Sequence, residues 1–551
     1  MAERYDYVIV GAGSAGCVLA NRLSENPSNK VCLLEAGPAD WNPLIHIPAG
    51  FVKTLKDPSV NWLFETEPSW GTNGRSIAAP RGKTLGGSSS INGLVFNRGQ
   101  SMDFDTWAQR GNQGWGYADI LPYFKRYETR LGNGSPVYRG QAGEQVITDL
   151  EWRHPLCDAF IQAATDMGIP LNEDYNGVIQ EGISYVQRTS KGRLRHSAAK
   201  SFLNPIKSRK NLHIITHAHT TSVIIEKGRA NGVAFSRGGR HGEERQVFAS
   251  CEVILSAGVV GSPHLLELSG IGDSNRLSEL GIDVVHHLPG VGENLRDHYA
   301  PRFTGRAKNT STINEMTRGP KLLWEIVKYA LGKPSIVGLG PTLVYCFWHS
   351  EPSIRNHDLQ LTFAPASYKE GVQSEIDTEP GFTCAAWQQR PESLGYIHAR
   401  SADPYDRPVI QPNYLDAEED RRVVLAGMKL ARQLMHSAAL APFLDYEVYP
   451  GPHIQSDDEL LQIARERGTT TYHMMGTCRM GPNTDPTAVV DDSLRVYGLD
   501  GLRVIDASIM PTMLSANLNA GAMVIGEKGS DMVLGKPALE PLILPANAQA
   551  I

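Results

Sequence analysis

A strand, a glycine-rich turn and a helix follow one another at the start of this chain, at a spacing that few folds can accommodate. The apolar residues 7–10 lead into Gly11, Gly13 and Gly16, spaced G-x-G-x-x-G, and a helix is predicted over Ser14–Leu23. Gly11 permits a tight turn, Gly13 lets backbone approach a pyrophosphate, and Gly16 lets the helix pack on the strand. The free amides at the start of that helix favour phosphate groups.

A carboxylate completes this pattern. A second apolar run, residues 31–34, ends at Glu35, 19 residues after Gly16. A carboxylate at the end of that strand can accept hydrogen bonds from ribose hydroxyls and disfavours a phosphorylated ribose. The pattern therefore predicts a dinucleotide site that disfavours NADP but does not separate NAD from FAD. The alternative is a glycine-rich turn in an ordinary α/β unit.

Length, composition and net charge limit the class of protein to which this chain can belong. A length of 551 residues predicts two or three domains. A hydrophobic content of 41% and a net charge of −6 are typical of a soluble globular chain, with no bulk attraction to nucleic acid. We find neither a leader nor an apolar run long enough to span a membrane, so we expect a cytoplasmic protein. The seven cysteines form no C-x-x-C pair, so neither disulfides nor a metal site is expected.

Further along the chain, residues 79–93 are rich in glycine and serine, which is typical of a loop that brings backbone close to a ligand. The alternative is a flexible surface loop. Residues 212–216, 221–225 and 232–235 predict a small sheet appended to the nucleotide domain. A strand over 252–256 and a helix over 262–272 should follow.

Aromatic residues concentrate between residues 310 and 450, which indicates a second domain that supplies pocket walls or simply fills its own core. A second strand that ends in small residues is predicted over 502–508, and a helix is predicted over 522–534. Because this order of strand, loop and helix repeats the order at the amino terminus, we expect the nucleotide domain to be built from both ends of the chain.

Taken together, four regions resemble the glucose-methanol-choline (GMC) oxidoreductases, FAD enzymes that oxidise alcohols. They are the glycine fingerprint with residues 35–37, then residues 81–93, 258–272 and 473–519. The resemblance covers nearly the whole chain and is closest to the choline-dehydrogenase-like branch, which includes acceptor-dependent alcohol dehydrogenases. Val259 departs slightly from the family signature. The resemblance implies an α/β fold, with a Rossmann-like FAD-binding domain and an α+β substrate domain built on an antiparallel sheet.

The resemblance also divides the chain. The FAD-binding domain is expected in three parts, residues 1–155, 211–305 and 466–540. Residues 156–210 form a connecting segment that belongs partly to the substrate domain, residues 306–465 form the substrate domain, and residues 541–551 form a tail.

The family's cofactor residues carry over position by position. Glu35 would bind ribose, Val223 would meet adenine through its backbone, and Asn519 would approach the flavin ring. The full implied set is Gly11, Gly13, Ser14, Ala15, Gly16, Glu35, Ala36, Trp62, Arg81, Gly86, Gly87, Ser88, Asn92, Gly93, Leu94, Val223, Tyr472, Asp506, Ala507 and Asn519. Some family members attach FAD through a histidine just before the asparagine of the Gly-Gly loop. This chain has Ile91 there, so FAD should be bound non-covalently.

The chemistry implied is oxidation of a primary alcohol to the aldehyde. His473 would take the hydroxyl proton while the hydride passes to flavin N5, because neutral imidazole is a suitable base near neutral pH. Asn517 would donate a hydrogen bond to the substrate oxygen. The alternatives for these two residues are a structural histidine and a helix-capping asparagine. His298 also recurs in the family, as a structural or flavin-adjacent residue.

Several functions stay open on sequence alone. We expect electrons to pass to a quinone or another carrier, and the alternative is an oxidase that reduces O2 to H2O2. An uncharged primary alcohol is the expected substrate, with choline the next candidate. The same fold also hosts lyases and a light-driven decarboxylase, and a non-enzymatic flavin-binding protein is a further alternative. The oligomeric state is left open.

Overall fold

The computed structural model describes residues 3–369 and 375–544. Two large sheets organise this part of the chain. Their strands, in chain order, are β1 (Glu3–Val10), β2 (Val31–Leu34), β3 (Gly182–Tyr185), β4 (Leu212–Ile215), β5 (Ala218–Glu226), β6 (Arg229–Arg237), β7 (Glu243–Leu255), β8 (Arg302–Ala307), β9 (Val344–Trp348), β10 (Leu359–Ala364), β11 (Gly381–Gln388), β12 (Leu444–Tyr449) and β13 (Leu502–Val504). Seven residues of the predicted tail, 545–551, lie outside the described residues, as do residues 1–2 and 370–374.

The helices of nine or more residues in the described part of the chain surround these sheets. They are α1 (Ser14–Leu23), α2 (Ser101–Gln109), α3 (Tyr117–Tyr127), α4 (Pro155–Asp166), α5 (Gly258–Leu268), α6 (Gly319–Ala330), α7 (Glu418–Met435), α8 (Asp457–Arg467) and α9 (Leu518–Val533). None of the described helices is both long enough and apolar enough to cross a membrane.

The first sheet carries the glycine fingerprint. Its order is β4-β2-β1-β7-β6-β5, with β13 beside β7. Strands β4, β2, β1, β7 and β13 pair in parallel, and β2 and the last three residues of β1, Val8–Val10, are buried and apolar. Such strands are typical of a parallel sheet that is covered on both faces. The Rossmann-like α/β fold predicted for this region is confirmed.

The predicted small appended sheet proves to be part of this first sheet. Strand β7 is 13 residues long and pairs in parallel with β1 over most of its length, while its amino-terminal half also pairs antiparallel with β6. Because one strand serves both arrangements, β5 and β6 extend the parallel sheet at one edge. Residues 212–216 lie at the opposite edge, where β4 pairs with β2.

Two helices begin earlier than predicted. Helix α5 begins at Gly258 rather than Ser262, because Gly258 has a φ of +79° and turns the chain directly out of β7. Helix α9 begins at Leu518 rather than residue 522, with Asn517 at its N-cap position. Helix α1 spans Ser14–Leu23, as predicted.

The second sheet is antiparallel, in the order β12-β8-β11-β10-β9-β3. Helices α4 and α7 pack on it around a core of its own, which includes Phe160, Phe363 and Met428. The expectation of a substrate-side α+β unit on an antiparallel sheet is confirmed, whereas the exact boundaries of the predicted domains stay predictions. The large cavity described next lies between the two sheets.

Candidate active site

A large cavity of about 1110 Å³ connects the glycine fingerprint to the antiparallel sheet. Its volume exceeds the roughly 300–1,000 Å³ of most ligand pockets. Eighteen of the predicted site residues line it, namely Gly11, Gly13, Ser14, Ala15, Glu35, Ala36, Trp62, Arg81, Gly87, Ser88, Asn92, Gly93, Tyr472, His473, Asp506, Ala507, Asn517 and Asn519. The cavity is therefore large enough to combine a region for a dinucleotide with a region for a substrate.

The glycines at one end form a backbone cradle. Gly11 has a φ of +101°, and a Cβ there would lie 2.4 Å from the Ser256 carbonyl oxygen, so only glycine fits. A Cβ on Gly13 would meet no atom closer than 3.9 Å, so the space beside this residue is open. A Cβ on Gly87 would lie 2.7 Å from the Gly13 Cα. The two loops thus approach each other closely around the open space.

Glu35 is held by the backbone of the fingerprint. Its Oε2 accepts a hydrogen bond from the Ala12 N–H (3.0 Å) and its Oε1 accepts one from the Gly37 N–H (2.9 Å). The side chain is buried, and burial raises its pKa to about 7. A carboxylate so oriented at the end of β2 has lone pairs left to accept from hydroxyl groups in the cavity.

The loop over residues 86–93 is fixed by a buried arginine that sequence analysis missed. Arg195 donates from Nη1 to Asn92 Oδ1 (2.6 Å) and from Nη2 to the Asn92 carbonyl (2.7 Å). It also donates to the Ser89 and Ile45 carbonyls. Burial lowers the pKa of this guanidinium to about 9. The loop is therefore an ordered wall of the cavity, which rules out the alternative of a flexible surface loop.

The carboxyl-terminal part of the chain closes the same region. Asp506 Oδ2 accepts from the Gly258 N–H (2.9 Å) and the Ser262 hydroxyl (2.5 Å), which ties β13 to the start of α5. Asn519 Oδ1 accepts from the Ser14 hydroxyl at 2.7 Å. Both ends of the chain thus contribute to one wall, as the sequence predicted.

Four predicted residues do not line the cavity. A Cβ on Gly16 would lie 1.9 Å from the Gly11 carbonyl oxygen, and the Gly86 N–H donates to the Ala12 carbonyl, so both shape the cradle from behind. Leu94 is fully buried with a φ of +65°. The Val223 N–H donates to Ser269 Oγ (2.8 Å). Residues 217–220 line the cavity beside this strand, and the adenine contact of Val223 stays a prediction.

At the other end of the cavity, His473 and Asn517 face each other. Asn517 Nδ2 lies 3.0 Å from His473 Nε2, and the Tyr345 hydroxyl donates to Asn517 Oδ1 at 3.2 Å. The tyrosine thereby orients the amide, with its N–H₂ group toward the imidazole. Asn517 occupies the N-cap position of α9 but makes no side-chain cap bond. The helix-capping role considered for Asn517 is therefore wrong.

A second histidine fixes the protonation of the first. His298 Nε2 lies 2.7 Å from the Gln389 carbonyl, which can only accept, so this nitrogen carries a proton. Burial lowers the pKa of His298 to about 4, so its Nδ1 is bare and accepts from His473 Nδ1 at 2.9 Å. His473 consequently carries its proton on Nδ1 and presents an unprotonated Nε2 toward Asn517.

The surroundings of His473 keep it neutral. Burial, together with His298 and Arg81, holds the pKa of His473 well below its usual value. The backbone is fixed by Asp297, whose Oδ1 accepts from the His473 N–H (2.8 Å) and whose Oδ2 accepts from Tyr414 (2.6 Å). Burial raises the pKa of that carboxyl. The site thus offers an unprotonated imidazole nitrogen beside an amide donor.

Several residues of the cavity wall were missed. Tyr345 and Trp387 come from strands β9 and β11, Arg302 from β8, and His219 from β5. Alternation along each strand selects which side chains face the cavity, but sequence alone does not say which face that is. The turn at Gly258 was detectable, because the run of small residues after an apolar strand resembles the amino-terminal pattern.

Comparison with known proteins connects this site to a family. Family models described as GMC oxidoreductase match residues 5–300 and residues 391–526. The chain is 41% identical to an alcohol dehydrogenase (acceptor) of Pseudomonas putida over 533 residues, covering 97% of this chain and 96% of the relative. It is also 41% identical to mitochondrial choline dehydrogenase of Homo sapiens over 553 residues, covering 98% and 91%.

A solved structure is similar to this chain over nearly its whole length. A formate oxidase of Aspergillus oryzae, studied for the modification of its FAD, superposes with a TM-score of 0.89 at 27% identity. The match covers 97% of this chain and 98% of that structure.

Proposed function

The chain belongs to the GMC oxidoreductase family, and we propose that it oxidises a primary alcohol to the aldehyde with His473 as the base. Family membership makes it an FAD-dependent enzyme that acts on CH–OH donors. The observation that carries the residue assignment is the unprotonated Nε2 of His473 beside the Asn517 amide at 3.0 Å. An alcohol hydroxyl needs both a proton acceptor and a hydrogen-bond donor at this point.

The residues of the cavity fit FAD. Open space beside Gly13 admits a pyrophosphate close to the backbone and to the start of α1. Glu35 would accept from the ribose hydroxyls, and the wall formed by Asp506, Ala507 and Asn519 would face the rest of the cofactor. Ile91 is buried against the cavity and has no nucleophilic atom, which supports non-covalent binding. When bound, FAD accepts the hydride of the alcohol carbon.

The protein residues handle the proton. The substrate hydroxyl would donate to His473 Nε2 and accept from Asn517 Nδ2, replacing the direct contact between these two side chains. As the hydroxyl proton moves to Nε2, the imidazole becomes a cation whose Nδ1–H still donates to His298. The His298–Gln389 bond keeps that geometry fixed throughout, so no rearrangement is needed during the step.

The wall opposite His473 favours an alcohol without a positive charge. Tyr345 and Trp387 supply aromatic faces, which alone could contact a quaternary ammonium. Among the described residues, however, the carboxylates that line the cavity are Glu35, Asp406 and Asp506, and none of them lies on the antiparallel sheet. Choline, the substrate of a 41% identical relative, is therefore the second candidate here.

For the electron acceptor, we propose a quinone or another carrier rather than O2. The similarity to an acceptor-dependent alcohol dehydrogenase over 97% of the chain supports this assignment. An oxidase is the second candidate, since a formate oxidase shares the fold.

The first test is anaerobic mixing of the FAD-loaded protein with benzyl alcohol, n-hexanol, choline and glucose while the visible flavin band is followed. Bleaching by a primary alcohol supports the proposed function, and admission of air then separates an oxidase from a dehydrogenase. A yellow protein that none of these alcohols bleaches would contradict the proposed function.

The His473→Gln variant tests the residue assignment. We expect it to retain FAD but to lower the rate of flavin reduction by about 100-fold or more, the usual effect of losing a general base. His241→Gln is the matched control, because His241 is exposed and does not line the cavity. Flavin reduction at the wild-type rate in His473→Gln would remove this histidine from the mechanism.

A further inference from the structure

Arg302 occupies an unusual place on the substrate side of the cavity. It begins β8, and its side chain lines the cavity together with Ala300, two residues earlier on the same face. Arg302 is half-buried as a residue. Within residues 3–369 and 375–544, Arg302 makes no side-chain hydrogen bond or ion pair.

The register of the antiparallel sheet relates Arg302 to the reactive end. Tyr345 lies opposite Thr362, Thr362 opposite Ala385, and Ala385 opposite Arg302. These four residues form one row across strands β9, β10, β11 and β8, and all of them line the cavity. Three strand spacings of about 4.8 Å separate the ends of the row, or about 14 Å between backbones.

The two ends of this row differ in chemistry. At one end, the Tyr345 hydroxyl binds Asn517 beside His473. In the middle, Thr362 and Ala385 have short side chains that leave room above the sheet. At the other end, Arg302 is close enough to the Tyr368 and Tyr472 phenols to oppose the rise in pKa that burial causes in both. We call this row the floor of the cavity. It extends from the pair His473 and Asn517 at one end to the positively charged Arg302 at the other.

The charges around this floor do not neutralise Arg302. The carboxylates that line the described cavity are engaged elsewhere. Glu35 accepts from the fingerprint backbone, Asp506 from the start of α5, and Asp406 from Ser401 and Arg240. Arg81 also lines the cavity, adds to its positive potential and is electrostatically coupled to the buried Asp297. A half-buried arginine without a carboxylate partner favours an incoming anion.

We propose that Arg302 binds a carboxylate carried by the alcohol substrate. The substrate class is an ω-hydroxycarboxylate, with its hydroxyl at His473 and Asn517 and its carboxylate at Arg302. The floor between them accommodates a short aliphatic chain, whereas an α-hydroxy acid is too short to reach both ends. The inference rests on the proposed function, and the oxidation itself is unchanged, because the carboxylate takes no part in it.

The test compares three alcohols of equal chain length that differ in terminal charge: ω-hydroxyhexanoate, n-hexanol and ω-aminohexanol. Each is mixed anaerobically with the FAD-loaded enzyme, and the substrate Kd and limiting rate of flavin reduction are measured. Because only the reductive half-reaction is followed, the electron acceptor has no influence. We expect ω-hydroxyhexanoate to bind about 10- to 100-fold more tightly than n-hexanol, the usual effect of a charge-assisted pair. The amine should bind most weakly.

Variants then test whether Arg302 causes the preference for the substrate with a carboxylate. Arg302→Gln should abolish the advantage of ω-hydroxyhexanoate over n-hexanol, while Arg302→Lys should retain part of that advantage. Arg355→Gln removes an exposed arginine outside the cavity and is the charge-matched control. If Arg302→Gln does not retain FAD, the three substrates on the wild-type and Arg302→Lys enzymes decide the question.

The outcomes are distinct. Equal Kd values for the three alcohols, tighter binding of the amine, or an equal loss for all three in Arg302→Gln would overturn the carboxylate assignment. If no alcohol, n-hexanol included, reduces the flavin, the proposed function fails instead.

Discussion

At the scale of single residues, the site works by holding ionisable groups in the protonation state that their role requires. His473 is buried beside His298 and Arg81, all of which lower its pKa, so its Nε2 is available as a base without prior deprotonation. Glu35 is the opposite case, because burial raises its pKa to about 7 and favours the protonated carboxyl. Its proposed partners, the ribose hydroxyls, require the anion.

FAD binding should therefore depend on pH through Glu35. With a folded pKa of about 7 against 4.5, this carboxyl stabilises the apoprotein most at low pH and loses that contribution as the pH rises through 7. Binding of FAD favours the anion and so releases a proton below pH 7. We expect the Kd for FAD to fall as the pH is raised to about 7, by at most about tenfold per pH unit, and to level off above it.

Titration of the apoprotein with FAD, followed by flavin fluorescence, measures this dependence. In Glu35→Gln the Kd should be higher at neutral pH and should change much less with pH. An identical slope in the variant would assign the proton release to another group.

At the scale of elements, the glycines of the fingerprint serve two different purposes. Gly16 lies against the Gly11 carbonyl and holds α1 on β1, whereas Gly13 faces open space in the cavity. The two glycines differ because α1 packs closely against the end of β1 at Gly16 and not at Gly13. The residue type is the same at both positions.

We expect Gly13→Ala and Gly16→Ala to fail in different ways. Gly13→Ala adds a methyl group with 3.9 Å of clearance, so the apoprotein should keep its Tm but bind FAD weakly. Gly16→Ala places a methyl group 1.9 Å from the Gly11 oxygen and should lower the stability by about 1–3 kcal/mol. Calorimetry of both apoproteins and FAD titration provide the comparison. A lowered apoprotein Tm in Gly13→Ala would show that its role is also structural.

At the scale of the whole molecule, a buried ion network joins the two ends of the chain. Glu527 of α9 is fully buried and accepts from Arg22 of α1 (2.7 Å) and from Arg126 of α3 (2.6 Å). Arg22 also pairs with Glu144 at 2.6 Å. The network fixes α9, whose first turn follows Asn517, against the helix of the glycine fingerprint.

Glu527→Ala should consequently destabilise the protein by about 3 kcal/mol, because the two arginines lose a buried partner. Thermal unfolding of the FAD-loaded enzyme measures the loss. The control is Glu243→Gln, which removes the exposed partner of Arg245 at 2.6 Å and should leave the Tm unchanged. A Tm equal to wild type in Glu527→Ala would mean that packing alone holds the chain ends together.

The sequence by itself determined the dinucleotide half of this protein. The turn at Gly11, the helix over Ser14–Leu23 and the carboxylate at Glu35 follow one another along the chain, so local spacing specifies their geometry. The resemblance to a family extended that prediction to the antiparallel sheet and to His473.

Only the tertiary structure decided which atoms meet at the reactive end. His298 and His473 are 175 residues apart, and their hydrogen bond selects the tautomer that leaves Nε2 free. Tyr345 and Arg302 reach one row of the cavity floor through strand pairing. Pairing register and strand facing arise from contacts between distant segments, so no local pattern in the chain encodes them.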